Sequence, residues 1–179
     1  GIGTGRQIMT GSGFRPPRLL RHADVQAGLA NSSWRRKHVL TEADNLLALT
    51  ENRIIERSDG VRLSAQHTPA RQPNGRVAIL LHGWEGSSSS LHVLSAADRL
   101  WRAGFRILRI NMRDHGGSQH LNRGIFHSCR LPEMVDATRW VRERFPDDSL
   151  YLAGYSLGGN FALRIAVAAG PALGITRVA

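Results

Sequence analysis

Gly154-Tyr155-Ser156-Leu157-Gly158 is a G-x-S-x-G pentapeptide. It follows a short apolar run, Ser149–Ala153, and precedes a helical run, Asn160–Ala168. In a strand–turn–helix context this pattern raises a serine hydroxyl on a sharp turn, where it can act as a nucleophile. The glycines two before and two after Ser156 leave room for a backbone that a Cβ would crowd. The helix starting behind the serine points free N–H groups at any oxyanion formed there. A second stretch completes the chemistry. Val77–Leu81 reads as a buried strand, and His82-Gly83-Trp84-Glu85-Gly86-Ser87 follows it at once. A loop in that place supplies a second oxyanion donor, and the backbone N–H of Trp84, paired with that of Leu157, fits the role. Together these residues describe acyl transfer through Ser156.

The remaining elements are those needed to hold two strand ends side by side. Asn52–Arg57 and Val61–His67 flank Ser58-Asp59-Gly60, a hairpin signal. Strands are expected over Arg76–Leu81, Phe105–Ile110, Ser149–Ala153 and Ile175–Ala179. Helices are expected over Leu91–Ala103, ended by Gly104, and over Pro132–Phe145, where Met134, Ala137, Val141 and Phe145 share a face. Upstream, Ala23–Leu29 reads as a short helix and Thr41–Leu49 as another, with Thr41 as cap. Residues 1–13 hold five glycines and read as a flexible segment. Alternating strands and helices after an opening hairpin predict an α/β fold, with a mostly parallel sheet covered by helices on both faces. Ligands bind such sheets at the carboxyl ends of the strands, where His82–Trp84 and Ser156 fall.

Composition narrows the function classes. The 179 residues suffice for one domain with a sizeable core, and apolar content is 41%. No apolar run approaches the roughly 18 residues of a membrane span, and no signal-peptide pattern is visible, so a soluble cytoplasmic protein is expected. Cys129 is the only cysteine; it excludes an intrachain disulfide and reads as a plain loop thiol. No cysteine–histidine cluster has zinc spacing, and acyl transfer needs neither metal nor cofactor. The formal net charge is +10, but Lys37 is the sole lysine and the arginines are spread along the chain. Arg35-Arg36-Lys37 is the one dense basic cluster, and nucleic acid is not expected as the partner.

These motifs together resemble the α/β-hydrolase superfamily, and within it a YheT-type branch of bacterial hydrolases and esterases. Phe14–His22 with Val25-Gln26 resembles the N-terminal signature of that branch. Leu81–Ser87 resembles its oxyanion loop, Asn111–Ser118 the loop after the next strand, Leu121–Arg123 and Phe126–Ser128 the segment beyond, and Gly154–Asn160 the elbow. The match runs from about residue 14 to the end, so residues 14–179 would form the N-terminal portion of one such domain. The resemblance implies Ser156 as nucleophile, Leu157 and Trp84 as oxyanion donors, and His82 as a structural residue that fixes its loop. It implies that Asp114 and His115 shape the site without belonging to the triad. The implied substrate is a small-molecule carboxylic ester.

One departure matters more than the matches. The triad of this superfamily runs in the order serine, acid, histidine. The 23 residues after Ser156 contain no Asp, Glu or His. The C-terminal half of the fold, with acid and histidine, is therefore expected downstream of this piece, and Ile175–Ala179 is expected at a sheet edge. Alternatives remain: an acyltransferase of the same fold, a non-catalytic binding protein that kept it, or a basic nucleic-acid binder.

Overall fold

The computed structural model describes residues 17–30, 32–57 and 59–179. The glycine-rich segment 1–13 and the start of the Phe14–His22 signature lie outside them. Contacts divide the chain into two units, residues 1–37 and 38–179. The first holds a 3-10 turn, Arg18–Arg21, the helix α1 (Ala23–Ala30) and the start of α2 (Ser33–Glu42). Ser32 caps α2, its Oγ accepting from the Arg35 N–H at 3.2 Å.

That earlier start changes the expected Thr41–Leu49 helix. Thr41 lies inside α2 rather than at a cap. The chain breaks at Ala43 (φ −83°, ψ 1°) and continues as the short helix α3 (Asp44–Ala48).

In the second unit, β1 (Glu51–Glu56) and β2 (Arg62–Thr68) form the antiparallel hairpin. Its turn is closed by the Val61 N–H on Asp59 Oδ1 at 3.1 Å, with Gly60 at φ +81°. Then follow β3 (Arg76–Leu81), α4 (Leu91–Arg102), β4 (Arg106–Ile110), α5 (Leu131–Arg144), β5 (Ser149–Gly154), α6 (Leu157–Leu173) and β6 (Ile175–Val178). The sheet order is β1-β2-β4-β3-β5-β6. The hairpin meets β4 antiparallel; β4, β3, β5 and β6 run parallel.

Period-two alternation sorts the strand side chains between two helical layers. Val77, Ile79 and Leu81 of β3, with Leu108, Ile110, Leu150 and Leu152, pack on Met134, Ala137 and Val141 of α5 and Phe161, Ala162 and Ile165 of α6. Ala78, Leu80 and Ile107 point the other way, onto Leu46 of α3 and Val93, Ala97 and Trp101 of α4. Buried on both faces, β3 reads as an unbroken apolar run. The helix ends follow their expected chemistry. After α4, Gly104 (φ +89°) allows the Phe105 N–H to reach Leu100 O at 3.1 Å and its own N–H to reach Trp101 O at 2.9 Å. The left-handed Gly174 (φ +60°) ends α6. Among the described residues, no helix is long and apolar enough to cross a membrane.

Candidate active site

The carboxyl ends of β3, β4 and β5 lie side by side, and each is followed by a loop with one strained residue. Glu85 (φ 54°), Asp114 (φ 62°) and Ser156 (φ 52°) are the non-glycine residues with positive φ among the described residues. Such strain persists only where surrounding bonds hold it.

Ser156 is held from both sides. After Gly154 the chain stays pinned to β3, the Tyr155 N–H donating to Leu81 O at 3.1 Å. Ser156 then turns at φ 52°, ψ −114° and is the residue before the first turn of α6. The first helical bond follows at once, Asn160 N–H to Ser156 O at 3.0 Å. Ser156 is exposed to solvent. The flanking glycines are required by contact. A Cβ on Gly154 would lie 2.2 Å from Gly158 O, and one on Gly158 would lie 2.4 Å from His82 O. The elbow and the loop after β3 therefore touch backbone to backbone.

That contact brings the second sequence motif to the serine. A Cβ on Gly83 would sit 3.2 Å from Tyr155 O and 3.4 Å from Ser156 Cβ. Trp84 is the next residue. The backbone N–H groups of Trp84 and Leu157 form no hydrogen bond with another described residue. The loop that carries Trp84 and the turn that carries Ser156 and Leu157 are thus neighbours at the carboxyl ends of β3 and β5.

His82 is fully buried and engaged at both ring nitrogens. The Met112 N–H donates to Nε2 at 3.1 Å, so the ring proton is on Nδ1, which donates to Gly83 O at 2.7 Å. Burial pushes its pKa down to about 4; the Gly83 carbonyl opposes this and the nearby His115 and His92 add to it. A neutral ring with both nitrogens committed cannot serve Ser156 as a base. It ties the loop after β3 to the loop after β4.

Three further groups from β4 and its loop hold the site, and sequence reasoning missed them. Ser88 is gripped at both backbone atoms: its N–H donates to Asn111 Oδ1 at 2.7 Å, and its carbonyl accepts from Arg109 Nη1 at 2.8 Å. Asn111 Nδ2 also donates to Ser64 Oγ at 2.9 Å. Arg109 is 1% exposed, and burial alone lowers its pKa to about 10. Arg113 and Glu133 form a buried bidentate pair at 2.7 and 3.2 Å. Arg113 Nη1 also donates to Arg123 O at 2.8 Å, and Arg130 joins the same carboxylate at 2.9 Å. The signal available for Arg109 was a charged residue inside Phe105–Ile110, a run that had to be buried on both faces.

His115 is half-buried, with Nδ1 2.7 Å from Arg113 O. Its ring centroid is 4.9 Å from His82 and 6.2 Å from Trp84. Asp114 turns its carboxylate inward, Oδ2 accepting from the Phe126 N–H at 2.6 Å. Cys129 is exposed in the loop before α5. Among the described residues, no group of three His, Cys, Asp or Glu side chains could hold a metal ion. A cleft of about 460 Å³ lined by Arg71, Asn74, Trp101 and Arg102 lies at the opposite, amino end of the parallel strands, away from Ser156.

The chain is similar in sequence and fold to known proteins. YheT of Escherichia coli K12, an esterase by provisional assignment, is 27% identical over 108 residues, covering 59% of this chain and 32% of its own. A Saccharomyces cerevisiae protein named medium-chain fatty acid ethyl ester synthase/esterase 2 is 28% identical over 85 residues, covering 47% of this chain and 19% of its own. Among solved structures, a Xanthomonas campestris protein described as an α/β serine hydrolase without a lid superposes with a TM-score of 0.60 at 25% identity, over 72% of this chain and 59% of that one. The chain spans less than half the length of the curated relatives it matches. The family model described as the alpha/beta hydrolase fold matches residues 77–172, over half of the chain and the whole stretch from β3 through the elbow into α6. The chain belongs to the α/β-hydrolase fold family.

Proposed function

We propose that this chain carries the nucleophile and oxyanion hole of a serine hydrolase acting on carboxylic esters. The observation that carries the reading is the strained backbone of Ser156 at the start of α6, with Gly83 packed against it. Ser156 Oγ attacks the ester carbonyl, and the carbonyl oxygen becomes an oxyanion. The N–H groups of Leu157 and Trp84 donate to it; losing one such donor costs about 2.7–4 kcal/mol in comparable sites. A histidine takes the serine proton and returns it to the leaving alkoxide, an acid orients that histidine, and water releases the acyl group.

The base is not His82, whose nitrogens are both committed. No Asp, Glu or His lies between Leu157 and Ala179. The acid and histidine are assigned to sequence downstream of this piece. The isolated 179 residues are expected to turn over esters at a negligible rate, because a serine hydroxyl without its base is a weak nucleophile.

The yeast relative favours a second use of the same intermediate. Its name joins ester synthase to esterase. An alcohol in place of water would return an ester from the same acyl-enzyme, and a fold does not choose between them.

The test is covalent. The longest polypeptide encoded by the reading frame that holds this chain is treated with an alkyl fluorophosphonate and digested. The expected adduct is on Ser156 by mass spectrometry. An intact Ser156 beside a modified residue elsewhere would overturn the assignment.

A further inference from the structure

Charge does not balance around the loop that joins β4 to α5. Arg57 pairs with Asp59 at 3.1 Å and with Asp136 at 2.6 Å, and Arg139 also pairs with Asp136, so two arginines meet two aspartates. Arg113 and Arg130 share a single carboxylate, that of Glu133, at 2.7 and 2.9 Å. Arg123 is exposed, and its guanidinium makes no ion pair or hydrogen bond among the described residues. Three arginines thus answer to one glutamate. All three line one cleft of about 460 Å³, where the β1–β2 turn meets this loop. Asp59 is the one acid in that lining among the described residues, and it is already engaged by Arg57 and the Val61 N–H.

The walls of the cleft are fixed by bonds that leave donors over. Asn122 is clamped to β2 at both amide atoms, Oδ1 accepting from the Arg62 N–H at 2.8 Å and Nδ2 donating to Arg62 O at 2.6 Å. Arg113 Nη1 donates to Arg123 O at 2.8 Å and Arg130 Nε to Ile125 O at 3.0 Å, so the backbone that carries Arg123 is tied on both sides. Arg130 Nη2 makes no hydrogen bond among the described residues. The equally large cleft beside Trp101 differs in this respect. Its Arg102 is spent on Asp98 at 2.7 Å and on Glu42 O at 2.8 Å, which leaves Arg71 as its one uncommitted cation.

We propose that the cleft of Arg113, Arg123 and Arg130 binds a doubly charged oxyanion, a phosphate group either free or carried by a small molecule. An excess of two positive charges suits a dianion. The guanidinium fork donates two parallel N–H bonds, and a tetrahedral phosphate offers it paired oxygens. Walls already held in place lose little freedom when the ligand enters. The site makes no use of Ser156 and stands apart from the hydrolase reading.

The test is calorimetric titration of the longest polypeptide of the reading frame that holds this chain, at pH 8 and constant ionic strength. Inorganic phosphate and glycerol 3-phosphate are the two probes. Saturable binding of one equivalent is expected, and whichever probe binds tighter tells a free ion from a phosphomonoester. Arg123→Glu should weaken it about tenfold or more, the loss of charge-assisted hydrogen bonds. Arg71→Glu changes the net charge of the chain by the same amount and should change Kd less than about twofold. Both side chains are exposed and unbonded among the described residues, so neither change removes a contact of the fold; Arg123→Ala, without a reversed charge, should weaken binding in the same direction. Equal weakening by Arg123→Glu and Arg71→Glu would overturn the site, because the general field of a basic chain would then hold the anion. Binding of a DNA oligonucleotide with none of either phosphate probe would also overturn it and give these arginines to a nucleic acid.

Discussion

The Met112 N–H donates to His82 Nε2 at 3.1 Å, and this bond fixes the tautomer that lets His82 Nδ1 hold Gly83. The imidazole is neutral because burial disfavours its charged form, with His115 and His92 adding to the effect. Its pKa of about 4 lies below the ordinary 6.5. The unfolded chain therefore binds a proton that the folded chain does not between these values. Stability contributed by the neutral ring is fully present above pH 6.5 and is lost as the pH falls toward 4, by up to about 3 kcal/mol. Urea unfolding from pH 7 to pH 4 should show a steeper loss for the wild type than for His82→Gln, with the two curves converging. Parallel curves would show that His82 does not titrate this way.

Ser156 stores strain that a glycine would release. At φ 52° and ψ −114° any side chain is disfavoured. Ser156→Gly should be more stable than Ser156→Ala by about 1–2 kcal/mol, measured by thermal or urea unfolding. A more stable alanine variant would mean that the elbow relaxes without the hydroxyl. Gly154→Ala and Gly158→Ala, whose Cβ atoms would meet backbone at 2.2 and 2.4 Å, should fail to give folded protein.

Arg109 and Asn111 separate two kinds of buried polar group. Asn111 satisfies Ser88 and Ser64 together, so Asn111→Ala leaves buried partners unbonded and should cost about 2–3 kcal/mol. Arg109 is a buried cation whose Nε makes no hydrogen bond, and no carboxylate pairs with it among the described residues. Arg109→Met keeps the volume and removes the desolvation cost, and should fall within about 1 kcal/mol of wild type. Chemical denaturation of the two variants decides; a loss above about 3 kcal/mol for Arg109→Met would give the Ser88 contact the larger weight.

The strand β6 pairs only with β5 among the described residues, and α6 leaves Leu163 and Val167 exposed at 63% and 87%. An open edge beside an apolar helix face invites other chains. The 179-residue chain should self-associate in sedimentation velocity as concentration rises, and Leu163→Lys with Val167→Lys should shift it toward monomer. A monodisperse monomer with a sharp melting transition would contradict this.

Much of the fold was legible because its signals are periodic. The β3 apolar run, the Met134–Ala137–Val141 face of α5, and the glycines at 104 and 154–158 each dictate one local structure. The grouping of Ser156 with Trp84 followed from the same logic, since parallel strands put their carboxyl ends together. What was not legible is long-range and polar. Nothing local in Arg109, Asn111 or Arg113 tells that they reach Ser88, Ser64 and Glu133. The break at Ala43 was hidden because neither Gly nor Pro lies beside it, and the true cap, Ser32, lies nine residues before the expected cap, Thr41. The resemblance implied a structural role for His82, but its partners, the Met112 N–H and Gly83 O, come from distant or backbone groups that no local pattern names.

The most direct measurement is kcat/KM for p-nitrophenyl ester hydrolysis by the longest polypeptide of the reading frame that contains this chain, beside its Ser156→Ala variant and the 179 residues alone. The expected result is turnover by the long form that Ser156→Ala lowers by about 10⁴-fold or more, with the 179 residues near the variant's level. Hydrolysis by the long form that survives Ser156→Ala would contradict the assignment of Ser156 as the nucleophile.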